Sequence, residues 1–208
     1  MNMKTKILIF LTILSLVGCS KDDPKPPDPA SQLPPETQTG ANTFGCLING
    51  KLLIPRDGTG TFGGSDRGMI LWAGHPTGTE YSEIDIHDYK SPKTGEIVIH
   101  IQSLDQLGVG NYIIDESNGF RSIDGLNHNY IHCRVFNEAT NSYKYYRSYV
   151  NSGVIKITRF DFIPSVQLFV SGTFTCRVRS TTNPNDEIEI TLGRFDINGF
   201  TLPVKVFP

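Results

Sequence analysis

Residues 166–179 set the terms for the fold, because apolar side chains recur at every second position. Val166, Leu168, Val170, Gly172, Phe174, Cys176 and Val178 share one phase, while Gln167, Ser171, Thr173, Thr175, Arg177 and Arg179 mostly hold the other. Successive side chains of a strand point to opposite faces, so such a segment presents one core face and one wet face. The same period runs from Thr43 to the end, with turn residues roughly every ten positions, the pattern of a sandwich or barrel. No twelve-residue window carries a 3.6-residue apolar stripe, although residues 103–107 suit one short helical turn.

Candidate strands are Thr43–Ile48, 51–54, 68–73, 81–89, Glu96–Gln102, 111–115, Tyr130–Asn137, 143–149, 154–162, 166–179, 187–197 and 200–206. Asn49-Gly50 suits a tight turn after the first of them. Along 187–197 the apolar phase moves from Ile188, Ile190 and Leu192 to Phe195 and Ile197 across Gly193, which predicts a β-bulge. Asn198-Gly199 then offers a type I′ turn into a last strand, making the final three strands a meander. The expectation is an all-β, single-domain protein, an antiparallel β-sandwich of about a dozen strands.

The first eighteen residues are of another kind. Lys4 and Lys6 precede an apolar run over residues 7–17, broken only by Thr12 and Ser15, and no acidic residue intervenes. This is the n-region and h-region of a signal peptide. The run is too short for a spanning helix, which needs about 20 apolar residues, and Lys21-Asp22-Asp23 follows it closely. Six of the thirteen prolines then fall between Pro24 and Pro35, and up to Gly40 only Leu33 is large and apolar. Such a segment lacks the surface to fold, and at about 3.1 Å per residue a proline-rich stalk of some twenty residues spans up to about 60 Å. The domain plan is therefore a signal peptide over residues 1–18, a linker over 19–40 and a β domain over 41–208.

Leu16-Val17-Gly18-Cys19 resembles the lipobox of bacterial lipoproteins. The resemblance implies cleavage before Cys19, a diacylglycerol on its sulfur and three palmitate-type acyl chains in all, and two or more chains anchor stably where one is marginal. Ser20-Lys21-Asp22-Asp23 is similar to the acidic export signal that sends lipoproteins of Bacteroidota-type bacteria to the outer face of the outer membrane. Residues 39–51, reading Thr-Gly-Ala-Asn-Thr-Phe-Gly-Cys-Leu-Ile-Asn-Gly-Lys, together with Gly172-Thr173-Phe174 and Gly193-Arg194-Phe195-Asp196, resemble an uncharacterised family of Bacteroidota outer-membrane lipoproteins. That resemblance implies a compartment and a β fold, and carries over no catalytic or binding residue. The expected localisation is the outer membrane, lipid-anchored and facing the cell surface, with the bilayer as the first partner.

About 170 residues from 40 onward suffice for one core. The formal charge of −2 becomes −4 once Lys4 and Lys6 leave with the signal peptide, and no basic stripe invites nucleic acid. Beyond Cys19 the thiols are Cys46, Cys133 and Cys176, an odd number, each on the apolar phase of its strand. Three core thiols are expected, with a Cys133–Cys176 disulfide as the alternative.

Catalytic signatures are sparse. His75, His87, His100, His128 and His132 lack helical ligand spacing, and His128 and His132 lie about 13 Å apart if extended. No Gly-x-Ser-x-Gly elbow or phosphate loop occurs. A hairpin across residues 90–95 would set Glu83, Asp85, His87 and Tyr89 on one face with Glu96, Val98 and His100, with Asp85 opposite His100 as an acid–base pair, or else as the polar outer face of a sheet. Tyr143, Tyr145 and Tyr149 share a strand face that suits a ligand platform, while Tyr146 takes the other face. Trp72, between Leu71 and Ala73, is expected in the core. Asp85, His87, His100, Tyr143 and Tyr145 thus form the candidate ligand face. The expected function is a non-catalytic binding or adhesion module for a glycan or protein, with no cofactor or metal; the alternatives are a hydrolase or metal-dependent enzyme using the Asp/His cluster, and a structural subunit of a surface assembly.

Overall fold

The computed structural model of the chain describes residues 27–60, 66–73, 80–91, 93 and 95–208; the signal peptide, Cys19 and His75 lie outside the described residues. The strands are β1 Thr43–Ile48, β2 Lys51–Leu53, β3 Met69–Ala73, β4 Tyr81–His87, β5 Glu96–Gln102, β6 Gly110–Ile114, β7 Tyr130–Asn137, β8 Ser142–Arg147, β9 Gly153–Ile163, β10 Gln167–Ser180 and β11 Glu187–Asn198. A single helical turn, Leu104–Leu107, follows β5. The chain is therefore all-β, and its eleven strands join one antiparallel sheet in the order β2-β1-β11-β10-β8-β7-β5-β4-β3. The sheet forks at the long β10, whose one edge pairs with β9 along residues 167–176 and with β8 at Arg179 and Ser180. β6 then pairs with β9.

The sheet is rolled around one core. Cys46 on β1, Cys133 on β7 and Cys176 on β10 join the same buried apolar cluster, although β11, β10 and β8 separate β1 from β7 in the hydrogen-bonded order. The two far ends of that order also meet, because Arg56 just past β2 bridges to Asp88 just past β4. All three thiols are buried and free, so the disulfide alternative is not formed. Burial, and after it the neighbouring Cys133, pushes the Cys46 thiol upward; burial and then Glu96 do the same to Cys133.

Local chemistry explains the turns. Asn49 (φ 48°) and Gly50 (φ 75°) both take the left-handed conformation that a type I′ hairpin requires. The β11 bulge is present: pairing steps from Phe174–Gly193 to Cys176–Ile190. Leu192 (φ 53°) carries the positive φ, while Gly193 packs its α-carbon against the Phe174 ring where a β-carbon would collide.

Three expectations need correction. Residues 200–206 form no strand; a 3-10 turn, Leu202–Val204, replaces it, and Leu202 and Phe207 are buried while Val204 and Val206 are exposed. Pro203 has no N–H for a ladder, and Asn198 makes an Asx turn, its side chain accepting from Phe200 N at 3.0 Å, without positive φ at Asn198 or Gly199. Trp72 is 49 % exposed, not core; it sits across from Glu83 on the outer face, and Leu71 packs inward instead.

The third concerns the linker, whose second half is fastened to the sheet. Asp196 Oδ2 accepts from Thr37 Oγ1 (2.6 Å), Thr39 N (2.9 Å) and Ala41 N (3.1 Å), and Oδ1 accepts from Gly40 N (2.8 Å) and Ser171 Oγ (2.7 Å). Burial alone would raise this carboxyl, but the bonds from Thr37, Ala41, Ser171 and Gly40 hold it well below the usual carboxylate range. Asn42 Oδ1 accepts from Asn198 N at 2.7 Å. Thr39-Gly40-Ala41-Asn42 and Arg194-Phe195-Asp196, the two ends of the sequence resemblance, are thus the two sides of one structural clasp.

Candidate functional site

The β4–β5 hairpin and its neighbours β7 and β8 build one continuous outer face. Register places Glu83 opposite His100, Asp85 opposite Val98 and His87 opposite Glu96; across β7, Glu96 meets Arg134 and then Tyr145, and Phe136 meets Tyr143. All five predicted residues, Asp85, His87, His100, Tyr143 and Tyr145, therefore lie on this face. The predicted pairing of Asp85 with His100 is wrong by one two-residue step: His100 Nδ1 lies 3.0 Å from Glu83 Oε2. The 90–95 connection is long enough to allow either register, and only the ladder decides it.

One half of the face is sealed. The irregular segment 115–126 crosses it, and Ser122, held at φ 55°, donates its N–H to Glu83 Oε2 at 2.8 Å. His100 is sandwiched between Tyr81 (centroids 5.0 Å) and Tyr130 (4.4 Å), and the Tyr130 hydroxyl donates to Phe120 O at 3.0 Å. Glu83 and His100 are 0 % and 1 % exposed, so the expected polar outer face is, in this half, a second buried layer. Burial, and then Glu83, raises the Tyr130 hydroxyl well above the ordinary phenol range. Burial, followed by Arg121, lowers His132 to about 4, so its ring is neutral and faces the Ser117 hydroxyl at 3.2 Å.

The other half is an ion ladder open to solvent along one side. His87 Nδ1 lies 3.2 Å from Glu96 Oε2, and Nε2 lies 3.0 Å from Asp85 Oδ1. The latter contact is an ion pair, and among the described residues the buried Asp85 Oδ1 has no other donor. Burial alone would lower the His87 imidazole, yet the carboxylates on its two nitrogens raise it to about 9, so it is an imidazolium at neutral pH. Glu96 is pulled the other way: burial would raise it, but His87, Arg134 and Arg121 hold it below its ordinary value. Arg121 reaches from the covering segment to Asp85 Oδ2 at 2.7 Å, and Arg134 binds Glu96 at 3.0 Å.

Aromatic rings flank the ladder. Tyr89 stacks on His87 at 5.0 Å, Arg134 lies 4.4 Å above the Tyr143 ring, and Phe136 meets Tyr143 edge-on at 5.3 Å. Tyr145 stands 55 % exposed at the end of the row, whereas Tyr146 turns inward, its hydroxyl donating to Asp186. Tyr149 falls past the end of β8, under Arg179 at 3.7 Å.

Arg134 was legible in retrospect, since it alternates with His132 and Phe136 on a strand facing Tyr143 and Tyr145. Arg121 was not, because an irregular segment carries no period. His128 and His132 do not converge: His128 Nε2 binds Glu116 O at 2.7 Å while His132 faces Ser117. Among the described residues no group of three or more His, Cys, Asp or Glu side chains is placed to hold a metal ion, and no helix is long and apolar enough to cross a membrane. Compared with known proteins, the chain matches no family model, no curated protein and no solved structure.

Proposed function

We propose that the chain is a lipoprotein held at the outer membrane by acyl chains on Cys19, displaying a non-catalytic binding or adhesion module to the cell exterior. The observation that carries the binding role is the convergence of His87, Arg134, Tyr143 and Tyr145 on one open sheet face. A charged row fixed by mutual ion pairs holds its aromatic neighbours rigidly, and Tyr and Arg are the side chains enriched in the buried centres of protein interfaces. The acid–base groups are spoken for: Glu83, Asp85 and Glu96 each hold a cation, an imidazole or a backbone donor. The open groups are spread along the surface of four paired strands, which suits a protein surface or an extended glycan better than a small substrate.

Two measurements test this. Cys19→Ser should move the protein from the membrane fraction to the soluble fraction; retention in the membrane overturns the anchor. Titration of the purified full-length chain against a defined panel of oligosaccharides and extracellular proteins should find a ligand whose affinity falls at least tenfold in Tyr145→Ala or Arg134→Ala. Silence across the panel, or a panel in which no ligand is sensitive to either variant, overturns the binding face.

A subunit role in a surface assembly is favoured by one feature, the five-residue strand β3 at the end of the sheet order, whose one ladder among the described residues is with β4. Cross-linking on intact cells should then give a ladder of multimers; a monomer alone excludes it.

A further inference from the structure

At the end of the roll where the β1–β2, β7–β8 and β10–β11 connections meet, a cleft of about 320 Å³ opens beside the core. It is separate from the face described above, touching it only through Phe136. Its size falls at the small end of the range for ligand sites, roughly 300–1,000 Å³. Val135 and Ile188 give it an apolar wall, and Asn49, Asn137 and the Tyr146 hydroxyl supply neutral polar groups.

Its charges cancel in pairs. Lys144 Nζ lies 2.9 Å from Asp186 Oδ2, Lys51 Nζ lies 4.0 Å from Glu138 Oε1, and these four are the charged residues of the lining. The Tyr146 hydroxyl also donates to Asp186, and burial followed by that carboxylate raises it to about 12, so it stays protonated. An anion would have to pull a lysine from its carboxylate and a cation the reverse, whereas a neutral molecule can use the rims of both pairs as donors and acceptors. The walls are also set in place: the Asn49-Gly50 turn is a tight hairpin, and the Asn137 side chain accepts from Ala139 N at 3.0 Å to fix the β7–β8 turn.

We propose that this cleft binds an uncharged saccharide unit, whose C–H face lies on Val135 and Ile188 and whose hydroxyls meet Asn49, Lys51, Lys144 and Asp186. A sugar ring offers that combination of an apolar face and a rim of hydroxyls, and a cleft of this volume takes one or two such units.

The test is saturation-transfer NMR on the full-length chain with neutral cello-, malto-, xylo- and manno-oligosaccharides, alongside galacturonate and sulfated oligosaccharides. At least one neutral sugar should bind, the acidic ones at least tenfold more weakly. Ala139→Trp, an exposed rim position, should abolish binding by filling the cleft, and Asn49→Gly, which keeps the left-handed turn, should weaken it several-fold. Val166→Ala, an exposed position between β9 and β10 that belongs to neither site, should leave it unchanged, and unfolding curves confirm that each variant folds. Preference for the acidic sugars, no neutral sugar bound, or binding that survives Ala139→Trp overturns the proposal. Loss in Tyr145→Ala with retention in Ala139→Trp overturns the cleft while favouring the sheet face.

Discussion

The two halves of the β4–β5–β7–β8 face begin from the same alternation of polar side chains and end in opposite physical states. Glu83 and His100 are shut under residues 115–126 between two tyrosine rings, while His87, Glu96 and Arg134, only four residues along each strand, keep an open side. The difference lies in the segment laid across them, whose Ser122 N–H and Phe120 carbonyl satisfy the groups it buries. A buried polar pair is tolerable only when its remaining donors and acceptors are met. The sealed half is thereby a structural joint, and the open half is the part free to meet another molecule.

Removing one partner of a sealed pair should cost most. Glu83→Leu strands His100 Nδ1 and the Ser122 N–H in a dry layer, an error worth about 3–5 kcal/mol. Glu96→Leu, in the open half, lets water reach Arg134 and His87 and should cost about 1–2 kcal/mol. Urea unfolding of both variants measures the gap. Equal losses would mean that the two halves are not energetically distinct.

Acidity should separate them next. His87 titrates near 9 in the folded chain and near 6.5 when unfolded, so its ion pairs stabilise fully below 6.5 and fade as pH climbs to 9. Glu96, depressed from 4.5, contributes above that value and loses its contribution as pH falls below it. The ladder is therefore worth most between about pH 4.5 and 6.5. His87→Gln should flatten the decline in stability between pH 6.5 and 9 by on the order of 2 kcal/mol. An unchanged pH profile would show that the imidazole is not held between its two carboxylates.

The fold was legible where one residue type does one local job. Period two located β1 to β11, and the phase change at Gly193 located the bulge, because both follow from side-chain direction alone. The candidate face was legible as a face, since Asp85, His87, Tyr143 and Tyr145 share the polar phase of their strands, the one turned away from the apolar core. Its division was not. The Glu83–His100 register and the covering segment depend on contacts between residues 17 and 39 positions apart, which no local pattern encodes. Trp72 misled for the same reason: apolar neighbours in an edge strand say nothing about which phase is inward. The clasp at Asp196 was hidden in a proline-rich stretch whose composition argues for solvent, and only a carboxylate some 155 residues away makes it part of the domain.

The smallest effect on stability is expected at Tyr145, and it is the most informative about the open half. Its ring is more than half exposed, and it stands at the end of the row beyond Arg134. A surface side chain of this kind contributes within about 0.5 kcal/mol. Tyr145→Ala should therefore leave the urea midpoint almost unmoved while weakening any partner that docks on the ladder. Tyr143→Ala, which also removes the ring beneath Arg134, should lower both stability and binding. If Tyr145→Ala costs as much stability as Tyr143→Ala, Tyr145 is a packing residue, and the open half is structural like its sealed neighbour.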